Sequence, residues 1–274
     1  MKKLLVFLFI AMVLTGSTHK QITWVAIGDS ITYLGDHPEE TKNRVSKGYM
    51  QIVCEKLPFI TYVNKGYSGW TSEGIAKQFE TLNIPKGDVY SIFLGTNDWW
   101  QGRAIGTLDD YKNNTGNGTI NGSFRMITDK IRALNSDAKI FLITPMQRVD
   151  FVWLFGNTNN AYGSYKEKNG QTLLQVVNAI NAIGAYEHFK VADLYNKSGM
   201  THDKLVKYKR VKDPATGTYK NFKYPDFIDI PFNPQTDEYP YPADAADYTY
   251  DGLHPSDKGY DKIAKLVYKV IKKY

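Results

Sequence analysis

Apolar runs alternate with segments of helical spacing along most of this chain, and that alternation limits the fold more than any other feature. ITWVAIG (22–28), FITYVNKG (59–66), VYSIFLGTND (89–98), AKIFLITP (138–145) and KVADLY (190–195) read as buried strands. GYMQIVCEKL (48–57), SEGIAKQFETL (72–82), FRMITDKIRAL (124–134) and TLLQVVNAINAIGAY (172–186) have helical spacing. Ser72 or Thr71 is placed to cap the second of these, and Ser256 to cap a final helix running to the C-terminus. Strands separated by helices predict a parallel sheet covered on both faces. A chain of 274 residues, 42% hydrophobic and 23% charged, suits one large domain with a sizeable core. Two stretches interrupt the rhythm and read as insertions: 99–122, rich in Gly, Asn and Thr, and 199–250, long and irregular. The aromatic content of the second favours order.

The N-terminus has the layout of a secretory signal peptide over residues 1–19. Lys2 and Lys3 form a positive region, and Leu4 to Leu14 an apolar one too short to span a bilayer comfortably. Thr15, Gly16 and Ser17 suit a cleavage zone. The mature domain, 20–274, is then exported to a periplasm, cell surface or medium, with no stable membrane insertion. Losing Lys2 and Lys3 takes the formal charge from +6 to +4, which is mildly basic and no signature of nucleic-acid binding. The single cysteine, Cys54, excludes an intramolecular disulfide and reads as a buried thiol. Export without a disulfide points to a bacterial setting.

In open parallel sheets, ligands bind beyond the carboxyl ends of the strands. Gly28-Asp29-Ser30, Asn64 to Gly69 and Gly95 to Asp98 all follow expected strands, so they should gather at one edge. Ser30 there has two readings: a helix cap, or a nucleophile. A serine hydroxyl needs a nearby base to be nucleophilic. YDGLHPSDKGY, just before the last helix, offers one. Asp251 and His254 are three apart, a spacing that on a turn sets a carboxylate against an imidazole. An acyl-transfer intermediate also needs oxyanion donors. Ser30 N–H, Gly69 N–H and the Asn97 amide are the candidates. Asp29 and Asp98 lie close by and read as structural hydrogen-bonding groups. His19, His37, His188 and His202 have no metal-ligand spacing.

GDS at 28, NKGYSG at 64, GTND at 95 and DGLH at 251 occur in the order of the four blocks of the SGNH, or GDSL, hydrolases, and the chain resembles that family over about its whole mature length. The resemblance implies an α/β fold, a flavodoxin-like three-layer α/β/α sandwich with a parallel central sheet. It implies Ser30 as nucleophile, Gly69 and Asn97 as oxyanion donors, and His254 as base with Asp251 behind it. Two-step ester hydrolysis follows, with no metal or cofactor. Trp70 follows the oxyanion glycine, and Trp99 and Trp100 follow GTND, where flat rings suit sugars. Removal of acetyl groups from a polysaccharide or oligosaccharide is therefore the first expectation. A lipase, lysophospholipase or small-ester arylesterase is the alternative. A glycan O-acyltransferase or a non-catalytic glycan-binding protein would use the same surface.

Overall fold

A strand presents successive side chains to opposite faces of its sheet. In β1 (Ile22–Gly28) both sets are apolar: Trp24 and Ala26 enter one half of the core, Val25 and Ile27 the other. Such a strand must be covered on both sides. The computed structural model, which describes residues 20–274, shows how; the expected signal peptide lies outside the described residues.

Helix α1 (Ser30–Tyr33) follows β1 directly, and α2 (Tyr49–Lys56) comes before β2 (Ile60–Gly66). Then come α3 (Ser72–Gln78), β3 (Val89–Phe93), α4 (Thr96–Trp100), α5 (Leu108–Lys112) and α6 (Ile120–Leu134). β4 (Lys139–Ile143), α7 (Leu173–Glu187), β5 (Lys190–Ala192), α8 (Leu194–Lys197) and α9 (His202–Leu205) follow. The chain ends with β6 (Lys209–Lys212), β7 (Tyr219–Phe222) and α10 (Asp257–Ile271). The main sheet is parallel, in the order β2-β1-β3-β4-β5. That is the flavodoxin-like order, whose switch point lies between β1 and β3.

One face packs on α2 and α10, through Tyr49, Met50, Val53, Tyr260, Ile263 and Val267. The other packs on α3, α6 and α7, through Ile75, Phe124, Ile127, Ile131, Val176 and Ile180. The expected three-layer α/β/α sandwich is the observed one. The one polar side chain pairing across these central strands, Ser91 on β3, accepts the buried indole N–H of Trp24 at 2.9 Å; an unpaired indole there would cost stability.

Both expected insertions contain regular structure. Within 99–122, Thr107 and Asp110 form a reciprocal capping box that starts α5. Helix α6 begins at Ile120, earlier than its hydrophobic period suggests. Thr119 caps it, and its first turn is Ile-Asn-Gly-Ser, whose weak helix formers hide the start from a pattern reading. Within 199–250, β6 and β7 pair as an antiparallel hairpin, and Tyr241 and Phe227 are fully buried. The strand expected over 190–195 stops at Ala192, because Asp193 turns the chain by capping α8. Cys54 is half-buried rather than buried, and burial pushes its thiol up to about 11. No helix among the described residues is long and apolar enough to cross a membrane.

Candidate active site

The site forms where β1, β2 and β3 end. Asp29, not Ser30, caps α1: its Oδ1 accepts the Ile31 N–H at 2.9 Å. Ser30 is thus the first residue inside the helix, with its hydroxyl free for another partner. That partner is His254, whose Nε2 lies 2.9 Å from Ser30 Oγ. The other ring nitrogen, Nδ1, lies 2.7 Å from Asp251 Oδ2. The second Asp251 oxygen accepts the N–H groups of Leu253 at 3.0 Å and His254 at 2.7 Å. Three donors therefore converge on this carboxylate and fix it. With a hydrogen on Nδ1 directed to Asp251, Nε2 is left as an acceptor for the Ser30 O–H. Phe151, Trp153 and Tyr250 surround the imidazole with ring centroids 5.2, 5.9 and 6.0 Å away.

The DGLH turn depends on Gly252. Its φ is +91°, and a Cβ there would lie 1.9 Å from the Asp150 carbonyl oxygen. Only glycine allows this close approach, which lets Val149 N–H donate to Gly252 O at 3.0 Å.

The oxyanion candidates come from the neighbouring strand ends. Gly69 has φ +80° and open space where a Cβ would stand. The Ser30 and Gly69 N–H groups have no acceptor among the described residues. The Asn97 amide donates one hydrogen to Trp70 O at 3.0 Å, leaving the second for the cavity it lines. The loop carrying Gly69 is pinned from the α4 side. Gln101 Nε2 donates to Gly69 O at 3.2 Å, and buried Asp98 accepts the Ser72 N–H at 3.0 Å and its hydroxyl at 2.6 Å. Both nearby aspartates thus hold local backbone, as expected. Burial raises both carboxyls: Asp29 is pushed up to about 6, and Asp98 upward against the Ser72 hydrogen bonds.

Ser30, Gly69, Asn97 and His254 line one cavity of about 320 Å³, together with Trp100, Phe151 and Trp153. Two expected substrate contacts are elsewhere. Trp99 is 1% exposed, and its indole N–H donates to Gln171 O at 2.9 Å; it is a core residue, because α4 turns successive side chains about 100° apart and only one of the pair can face out. Trp70 packs on Tyr67 at 5.2 Å and over Gly74, beside α3 rather than in the cavity wall. Trp100 is in the wall.

Sequence reasoning missed Arg148, Phe151 and Trp153. They lie in the irregular segment 144–172 that follows β4. The carboxyl-end rule was applied only to β1, β2 and β3; applied to β4 as well, it would have pointed to this segment. No group of three or more His, Cys, Asp or Glu side chains able to hold a metal ion occurs among the described residues.

Comparison with known proteins agrees with this architecture. Residues 26–262 match the model of the GDSL-like lipase/acylhydrolase family, so the chain belongs to that family. Membership supports a carboxylic ester hydrolase of the esterase/lipase kind. A structure from Chitinophaga pinensis, described as a possible lipase, is 57% identical with a TM-score of 0.91, covering 92% of this chain and 98% of that one. A Lactobacillus plantarum protein shares the fold at 18% identity and a TM-score of 0.60, covering 93% and 99%. The acetyl xylan esterase AlAXEase does so at 17% and 0.54, covering 91% and 100%. No curated protein sequence matches the chain.

Proposed function

We propose that this protein is an exported serine esterase that removes acetyl groups from a polysaccharide or oligosaccharide through an acyl-enzyme. The observation that carries the reading is the continuous chain Ser30 Oγ, His254 Nε2, His254 Nδ1, Asp251 Oδ2, at 2.9 Å and 2.7 Å, beside unpaired oxyanion donors. His254 takes the Ser30 proton as the oxygen attacks the ester carbonyl. The tetrahedral oxyanion rests on Ser30 N–H, Gly69 N–H and the Asn97 amide. The C–O bond to the alcohol breaks as His254 returns the proton to the leaving oxygen. Water then repeats the sequence on the acyl-enzyme and releases the acid and Ser30. Asp251 orients the imidazole and stabilises its charged form.

A cavity of about 320 Å³ walled by Trp100, Phe151 and Trp153 suits a short acyl group and flat sugar faces. Few large apolar side chains are exposed among the described residues: Phe155, Leu174, Tyr186 and Tyr274. Of these only Phe155 is near the site, its ring tilted against Trp153 with centroids 5.8 Å apart. A lipid-binding face would need a broader patch. The lipase reading is the second one, favoured by the description of the Chitinophaga pinensis structure. The layout of residues 1–19 supports export.

Hydrolysis of nitrophenyl esters from acetate to octanoate, by the mature protein and by Ser30→Ala, separates these readings. Acetate cleaved best, with an inactive variant, is the expected result. Better cleavage of octanoate favours the lipase. A Ser30→Ala variant as active as the parent overturns the mechanism.

A further inference from the structure

Arg148 has no role in the proton relay, yet it lines the same cavity as Ser30 and His254. It is 1% exposed. Its main chain is held by Ser164, whose hydroxyl accepts the Arg148 N–H at 3.1 Å. The guanidinium itself is not held in that way: Nε and Nη2 have no hydrogen-bond partner. These two atoms are closed off from solvent, whereas the third nitrogen, Nη1, has no hydrogen-bond partner among the described residues either and is the one that can meet the cavity, as a charge-assisted donor to an anion. The rings of Trp100, Trp99 and Phe151 lie 5.4, 5.7 and 5.7 Å from the charge centre. Ring faces attract a cation but accept no directed hydrogen bond from its edge.

A buried cation with unpaired donors is costly unless something completes its shell. Burial lowers Arg148 to about 10, against the attraction of Asp251 and Asp150. Neither carboxylate hydrogen-bonds it. Asp251 is committed to His254 and to the DGLH turn. Asp150 is committed to Lys209, Gly163 and Tyr165.

We propose that Arg148 is the anion-recognition group of this site, and that the substrate is an ester carrying a carboxylate, such as an acetylated acidic sugar. This rests on the ester-hydrolase reading and narrows it. A singly charged carboxylate suits that donor. A doubly charged phosphate would be repelled more strongly by Asp150 and Asp251 nearby. The carboxylate belongs either to the alcohol or to the acyl side of the ester, and paired substrates tell these apart.

For the alcohol side, 3-acetoxybenzoate is compared with 3-acetoxybenzamide. For the acyl side, mono-4-nitrophenyl succinate is compared with the nitrophenyl ester of succinamic acid. The carboxylate member of one pair should have a kcat/KM roughly ten- to hundredfold higher, the range expected for a charge-assisted hydrogen bond. In Arg148→Met that ratio should fall to about one. No preference in the parent overturns the proposal, as does an equal loss on both members in the variant; the latter would make Arg148 a support for Asp251. Binding of benzoate against benzamide to Ser30→Ala, by calorimetry, decides the matter without turnover. Tighter benzoate binding supports the site, and equal binding overturns it. That holds even if no ester is cleaved, an outcome that sinks the hydrolase reading alone, and even if Arg148→Met does not fold.

Discussion

Asn97 serves two purposes that one substitution separates. Its amide ties α4 to the Gly69 loop through Trp70 O at 3.0 Å, and its remaining hydrogen is offered to the cavity. In Asn97→Ala the tie disappears, at a cost of about 1 kcal/mol in stability. For a chain of this size that lowers the Tm by roughly 2–4 °C. The loop does not fall away, because Gln101 and Asp98 still hold it. The catalytic cost is larger, because the lost hydrogen meets the oxyanion only when charge develops on it. Removal of one such donor typically lowers kcat by about 10²–10³, or ~2.7–4 kcal/mol. KM should change little, since the ground-state carbonyl lies short of the donor. Nitrophenyl acetate kinetics with a thermal melt on the same preparations give both numbers. A folded variant with the small Tm shift and kcat within threefold of the parent would refute the oxyanion role and leave Asn97 as a loop clamp.

Asp29 should make stability depend on acidity. Its carboxyl, raised from 3.8 to about 6 chiefly by burial, keeps a proton in the folded chain that the unfolded chain has already released. Stability from this group is therefore full below pH ~4 and falls as pH rises towards ~6, by about 3 kcal/mol in all. Asp29→Asn keeps an acceptor for Ile31 N–H and removes the titration, so urea midpoints at pH 4 and pH 7 should differ less in the variant than in the parent; equal differences would discredit the buried-carboxyl account. The two neighbouring tryptophans should respond oppositely. Trp99→Ala opens the core and breaks the bond to Gln171 O, at ~3–5 kcal/mol, with a large drop in Tm. Trp100→Ala should mainly raise KM on a carbohydrate ester, and a rise in KM from Trp99→Ala alone, with unchanged melting, would reverse their assignment.

The relay was legible in the sequence because each member is a special residue at a strand or helix boundary. Ser30 ends a buried run, Gly69 and Asn97 follow the next two, and Asp251 and His254 precede a Ser256-capped helix. Boundaries are marked by a change of period, and the carboxyl-end rule brings them together. The walls were less legible. Choosing between Trp99 and Trp100 depends on the rotation of α4, a helix of five residues whose phase no hydrophobic period reveals. Trp70 depends on how the Gly69 loop folds back over α3. Phe151 and Trp153 alternate with Val152 like a strand, yet this stretch lies outside the sheet and makes only an isolated bridge, Phe151 to Ala161. Arg148 was hidden for a different reason: a lone arginine reads as surface charge, and only burial shows otherwise.

The placement of that missed segment explains why the base and the wall belong to one unit. Val149 N–H donates to Gly252 O at 3.0 Å, Val152 N–H to Asp251 O at 3.4 Å, and Tyr241 hydroxyl to Asp150 O at 2.5 Å. The 149–152 backbone is thus bracketed by the DGLH turn on one side and the inserted region on the other. Phe151 and Trp153 line the cavity, while Val149 and Val152 are buried in the core. The position of His254 relative to Ser30 is set partly by the same backbone that presents Phe151, Trp153 and Arg148. Side-chain changes in this strip alter what the cavity accepts and leave the backbone bonds in place. An inserted or deleted residue moves Val149 or Val152 out of its core position and breaks the backbone bonds to Gly252 and Asp251. Substrate preference can therefore vary by substitution along 148–153, while the length of that strip is tied to the relay itself.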